Sequence, residues 1–146
     1  MIEDRIRNPN IPKSITLITA AEQDMKYVLN LHPKIEAAAT IIRGIYESFR
    51  MLGEAVLVFR GIETTEHTVM IGALTSLEIK ASRPLGVLDN LRRLRHDINY
   101  RAYRPSMAEL EDAILIAQTL FDPLRKEVIK LVQQKGFIQK ELNKYQ

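Results

Sequence analysis

The chain has 146 residues, 46% of them hydrophobic and 27% charged, which is enough for one domain with a core of its own. It carries no cysteine, and this excludes a disulfide framework, a thiolate nucleophile and a Cys-based zinc site. The net charge of +3 is unevenly placed: residues 91–106 hold five Arg and one Asp, residues 125–146 hold six Lys or Arg and two Glu, and the remainder is net acidic. The N-terminal MIEDRIRNPN is polar with no apolar centre, so no secretory leader is expected. The longest apolar runs, AVLVF and AILIA, are far too short to span a bilayer. These features predict a cytoplasmic protein without a membrane segment.

Helical periodicity runs through most of the chain. A first helix is predicted to start after Pro12 with Ser14 as its cap, burying Leu17, Ile18, Ala21, Met25, Val28 and Leu29. Pro33 suits the first position of a second helix. In that helix Ile41, Ile45, Phe49, Leu52, Val56 and Phe59 recur every three or four residues, which makes EAVLVF a helix end rather than a strand. Gly61 should stop it, and Thr64 or Thr65 should cap a third helix bearing His67, Met70, Ile71, Leu74 and Leu77. The SRP segment at 82–84 breaks the pattern, and a fourth helix from Pro84 carries Leu88, Leu91, Leu94 and Ile98. Ser106 and Glu109 have capping-box spacing and open a last long helix with Leu110, Ala113, Ile114, Ala117, Phe121, Leu124 and Val128 inside. Pro123 should kink it. The expectation is an all-α, up-and-down bundle of four to five helices, one domain over 1–146 with its core at about 14–132 and a loose basic tail at 133–146. Apolar positions beyond one small core, among them Ile41, Ile42, Val56 and Val58, suggest a homodimer face.

Several chemistries lack their signatures. No Gly-rich phosphate loop is present. His32, His67 and His96 lie on separate segments without ligand spacing, so neither a metal nor a cofactor is expected. Glu109, Glu111 and Asp112 occupy a first helical turn, where carboxylates complement the helix dipole.

The stretch LRRLRHDINYRAYRPS (91–106) is the informative one. On a helix Arg92, Arg95 or His96, and Asn99 share a polar face while Leu91, Leu94 and Ile98 hold the core side. Three readings stay open. One is a solvated Arg face with Tyr100 and Tyr103 lying over apolar surface. Another is an Arg-lined groove for RNA phosphates, with Tyr rings for stacking. A third, plainer reading is a helical bundle in which 91–106 only solubilises.

Over roughly residues 14–132 the chain resembles the HEPN superfamily of small α-helical domains. The resemblance rests on IYESFRMLGEAVLVFRG, on His67 opening the third helix, and on RLRHDINYRAYRPSMAELEDAI. It implies a HEPN-like bundle acting on RNA or nucleotide, as a metal-independent ribonuclease of the HepT-like toxin branch or as a catalytically degenerate relative. It also implies a homodimer and a toxin–antitoxin pairing with a nucleotidyltransferase antitoxin. The family's catalytic signature is Arg, a polar residue, a few more, then His. Arg95 and His96 match its opening, but Tyr100 stands where the closing His belongs. The candidate catalytic set is therefore Arg95, His96, Asn99 and Tyr100, with Arg92, Arg93, Arg101, Tyr103 and Arg104 as nucleic-acid contacts. Arg95 supplies a cation and Asn99 an orienting hydrogen bond. A Tyr with an ordinary pKa near ~10 is a poorer base than a His near ~6.5, so the proton carrier is Tyr100 as an acid or His96 turned inward. A formal Arg-x6-His pair, Arg60 and His67, spans Gly61 and a loop, where the family does not place its site, and is set aside. A non-catalytic module that binds nucleotide or RNA, or a dimeric scaffold, is the alternative.

Overall fold

In the computed structural model, residues 5–143 are described, with side-chain surroundings for residues 6–134. Five α-helices make up nearly all of it, as the periodicity predicts. A two-residue strand β1 (Arg5–Ile6) precedes α1 (Ile11–Leu29). Asn10 caps α1, its side-chain oxygen accepting from the Lys13 amide at 3.0 Å, and Pro12 sits in the first turn. Ser14 is thus not the cap. It lies one turn inside, fully buried, and its hydroxyl donates to the Ala55 carbonyl at 2.9 Å. The chemistry of the two sites explains the shift: Asn10 satisfies an orphan amide of the first turn, and Ser14 ties α1 to its neighbour.

Pro33 does not begin the second helix. The chain passes Pro33, makes a single 3-10 turn at Ile35–Ala37, and enters α2 (Ala38–Phe59). Thirteen of the 22 residues of α2 are buried, so this helix is apolar on nearly every side and must be central. It packs against α1, α3, α4 and α5. Ile41, Ile42 and Val56, expected to supply a surplus apolar face, are instead buried in this core, and Val58 is half-buried. They offer no ready dimer surface.

Gly61 ends α2 with a positive φ of 76°, a conformation that favours glycine, and a Cβ there would stand 2.1 Å from the Arg7 carbonyl oxygen. β2 (Ile62–Glu63) then pairs antiparallel with β1, Arg5 opposite Glu63 and Ile6 opposite Ile62. α3 (His67–Thr75) starts without a side-chain cap, because the Thr64 hydroxyl accepts from the Glu66 amide instead. α3 ends at Thr75, well before the SRP break, and Leu77 falls outside it. After an irregular stretch, α4 (Val87–Tyr100) buries Leu88, Leu91 and Ile98. Ala102 turns the chain at a φ of 53°, and the Tyr103 amide reaches back to the Asp97 carbonyl at 3.2 Å.

The capping box is present: the Ser106 hydroxyl accepts from the Glu109 amide at 3.1 Å and the Glu109 carboxylate accepts from the Ser106 amide at 2.9 Å. Burial opposes ionisation of Glu109, but the Ser106 and Tyr103 hydrogen bonds outweigh it and hold the carboxyl below its ordinary value. α5 (Met107–Asn143) continues through Pro123 and, as backbone, through most of the stretch expected to be a tail. The side chains of that basic stretch from 135 onward lie outside the described residues. Phe121 of α5 meets Phe49 of α2 edge-on, with ring centroids 5.6 Å apart. Among the described residues no helix is long and apolar enough to cross a membrane.

Candidate functional site

The Arg-rich segment is helical from 87 to 100, and helical spacing divides its polar residues into separate groups. Arg92, Arg95, His96 and Tyr100 fall at steps of three and four and line one cleft, with Thr65 and His67 forming the opposite wall at the start of α3. The cleft is open and holds about 350 Å³. Its other members, Thr65 and His67, were not among the candidates from the Arg-rich segment.

The remaining candidates lie elsewhere. Asn99 accepts from Arg43 Nε of α2 at 2.8 Å and does not line the cleft. Tyr103 and Arg104 border a second, smaller recess of about 210 Å³ with Ala39, Arg43, Ile98 and Ala102. The Tyr103 hydroxyl donates to Glu109 at 2.7 Å. Arg93 and Arg101 are exposed on the outer face, bridged to Asp89 at 3.0 Å and Asp97 at 3.7 Å. His67 joins Arg95, and Arg60 does not take part.

The carboxylates nearby neutralise some cations and leave others. Asp89 takes Arg92 at 2.8 Å, and this hydrogen bond is the main reason its carboxyl lies below the ordinary value. Beneath the cleft, Arg50 of α2 is held by Glu47 and by Glu54 at 3.0 Å, and it also contacts the Met70 sulfur at 3.3 Å. Those two glutamates, Glu47 foremost, push the Arg50 pKa further up. Arg95 has no carboxylate partner among the described residues. Its guanidinium lies over the ring of Tyr46, 5.6 Å from the centroid, in a cation–π contact.

Tyr46 joins Arg95 to His67. It is fully buried on α2, and its hydroxyl makes a 2.9 Å hydrogen bond with Nδ1 of His67. The Tyr46 and His67 rings stack with centroids 5.7 Å apart. Burial pushes the Tyr46 phenol up to about 12, against the opposing pull of Arg95. Burial also lowers the His67 pKa, and Arg95, Arg50 and Arg92 lower it further while Glu47 opposes them. At the outer rim His96 and Tyr100 are tilted against each other, 4.8 Å between centroids, with Tyr100 69% exposed.

The result is a cleft with two unlike imidazoles, one partly buried with its pKa lowered, the other at the rim. A guanidinium with no carboxylate partner among the described residues lies between the walls, and no carboxylate among those residues lines the cleft. Such a set suits phosphate oxygens, which accept hydrogen bonds and carry charge. Among the described residues no three His, Asp or Glu side chains are grouped to share a metal ion. No family model matches the chain, and comparison with curated proteins and with solved structures finds no match.

Proposed function

We propose that this chain is a HEPN-like domain acting on RNA: it grips a backbone phosphate in the cleft between α3 and α4 and cleaves the strand beside it. The observation that carries this reading is Arg95. A solubilising arginine points into water or pairs with a carboxylate, whereas this one lies against a buried tyrosine inside a cleft shared by two histidines. In the proposed reaction Arg95 and Arg92 offset charge building on the phosphate oxygens. The neighbouring 2′-hydroxyl attacks phosphorus as the bond to the 5′-oxygen breaks. His96 takes the 2′-hydroxyl proton, and a proton from the imidazolium or water reaches the departing 5′-oxygen. The exposed Tyr100 ring offers a base a stacking surface. The two-fold dimer and the nucleotidyltransferase antitoxin belong to the same proposal and rest on the resemblance alone.

The test is binding and cleavage of labelled single-stranded RNA by the native chain and by Arg95→Ala. A guanidinium bonded to a phosphate contributes about 1.5–3 kcal/mol, so Arg95→Ala should weaken binding roughly tenfold to hundredfold. Native affinity should also fall steeply as salt rises. Equal behaviour of the two proteins toward RNA would refute the proposal. Binding without cleavage is the second reading, and one observation favours it: Asn99 is engaged by Arg43 away from the cleft, so the signature residues do not all converge. Native protein that binds RNA but leaves it intact would select that reading.

A further inference from the structure

The Tyr46–His67 contact fixes which ring nitrogen of His67 carries the proton. Tyr46 is fully buried, and its hydroxyl has one hydrogen-bond partner among the described residues, Nδ1 of His67 at 2.9 Å. If Nδ1 bore a proton, that N–H would face the phenol, and the buried O–H would be left without an acceptor, which is costly. The phenol stays protonated at any ordinary pH, because burial raises its pKa to about 12. The O–H therefore donates to Nδ1, and the neutral imidazole holds its proton on Nε2. Charged groups from both neighbouring helices favour that neutral form: Arg50 on α2, and Arg92 and Arg95 on α4, outweigh Glu47. His67 lines the cleft, and Nε2 is the nitrogen that Tyr46 leaves available to it.

We propose that His67 is a phosphate-holding donor, not a proton acceptor, and that its Nε2–H, set by Tyr46, joins Arg95 and Arg92 in donating to phosphate oxygens. This inference rests on the reading of the cleft as a phosphate site. It assigns the two cleft histidines opposite duties: the partly buried one grips, and the rim residue His96 is left to move protons. Tyr46 is a positioning residue, since it acts through His67.

The tautomer can be observed directly by nitrogen NMR of histidine-labelled native protein above the pH at which His67 titrates. Nδ1 should resonate as an unprotonated ring nitrogen and Nε2 as a protonated one, and Tyr46→Phe should shift the ring toward a mixture. Added inorganic phosphate should perturb the Nε2–H signal. Glutamine can place an amide N–H near the position of Nε2 but cannot act as a base. His67→Gln should therefore bind and handle single-stranded RNA measurably better than His67→Ala, which should lose about tenfold or more, the loss expected for a donor to a charged acceptor. A protonated Nδ1 in the native protein, or His67→Gln as defective as His67→Ala while native protein still handles RNA, overturns this assignment alone. Native protein that binds neither RNA nor phosphate overturns it together with the functional reading, whatever the tautomer.

Discussion

Replacing Gly53 with alanine sets two effects of known size against each other. In a helix interior alanine is favoured over glycine by about 0.8–1 kcal/mol, so propensity alone predicts a more stable protein. Gly53, however, is buried in α2 where α3 crosses it. A Cβ there would lie 2.0 Å from the Met70 carbonyl oxygen and 2.7 Å from its carbon. These are backbone atoms of a helix, which cannot swing aside as a side-chain tip can. α3 would have to retreat by roughly 1.4 Å, the gap between 2.0 Å and the 3.4 Å at which ordinary contact begins. Overpacking of that kind costs about 1–3 kcal/mol, and a retreat of a whole short helix belongs at the upper end. The expected net loss is about 1–2 kcal/mol, a fall in Tm of about 2–8 °C for a domain of this size. His67 lies one turn before Met70, so the retreat also pulls its ring from the Tyr46 hydroxyl. Gly72→Ala is the matched control: Gly72 is exposed on α3 with nothing within 4 Å of its added Cβ. Propensity should act there unopposed, raising stability by about 0.5–1 kcal/mol. Thermal melts followed by circular dichroism decide the matter. A Gly53→Ala protein melting at or above the native temperature would refute the close-approach argument.

Three further outcomes are expected. Ser106→Ala should cost about 1 kcal/mol, read as a lower urea midpoint with an unchanged slope, because the Glu109 amide loses its acceptor at the start of α5. His67 has a lowered pKa in the folded state, so as pH falls below the ordinary value near ~6.5 the unfolded chain takes up the proton first. Stability should therefore decline as pH drops from ~6.5 through the folded pKa, and His67→Gln should flatten that slope in denaturant titrations across the pH series. Tyr100→His restores the Arg-x4-His spacing at a site 69% exposed, so the fold should accept it and RNA cleavage should rise; no gain in rate would mean that more than this His is missing.

The helices were legible because burial repeats every three or four residues, and Ile41, Ile45, Phe49, Leu52 and Val56 all proved buried. The capping box was legible for a similar reason: Ser106 and Glu109 meet within one turn, so their spacing in sequence is their spacing in space. The starts of α1 and α2 were less so. Ser14 and Asn10 are both good caps, and the choice between them depends on Ala55, more than forty residues away. Part of the cleft was legible too, since Arg92, Arg95 and His96 share one helical face, but Asn99, expected on that face, turns to Arg43 instead. Another part comes from α3, and its approach to α4 is set by the packing of both on α2. One signal did exist. Tyr46 sits in a helix apolar on nearly every side, and a buried hydroxyl demands a partner; His67, at the opening of the next helix, was a polar side chain able to supply it.

The placement of Arg95 over Tyr46 also bears on why the segment 91–106 is so basic. The five arginines of the segment are not equivalent in their surroundings. Arg92 and Arg93 share Asp89, and Arg101 lies near Asp97, so each has a local carboxylate that lowers its effective charge. Arg104 and Arg95 have none among the described residues, but Arg104 is exposed beside a separate recess. Only Arg95 combines an uncompensated charge with a partly sheltered position, and a cation so placed has given up some hydration. The face of Tyr46 offsets part of that loss, since a cation over a ring contributes about 0.5–2 kcal/mol depending on exposure. An anion entering the cleft would meet a guanidinium already oriented and partly dehydrated. That preorganisation is what the proposed phosphate site would draw on.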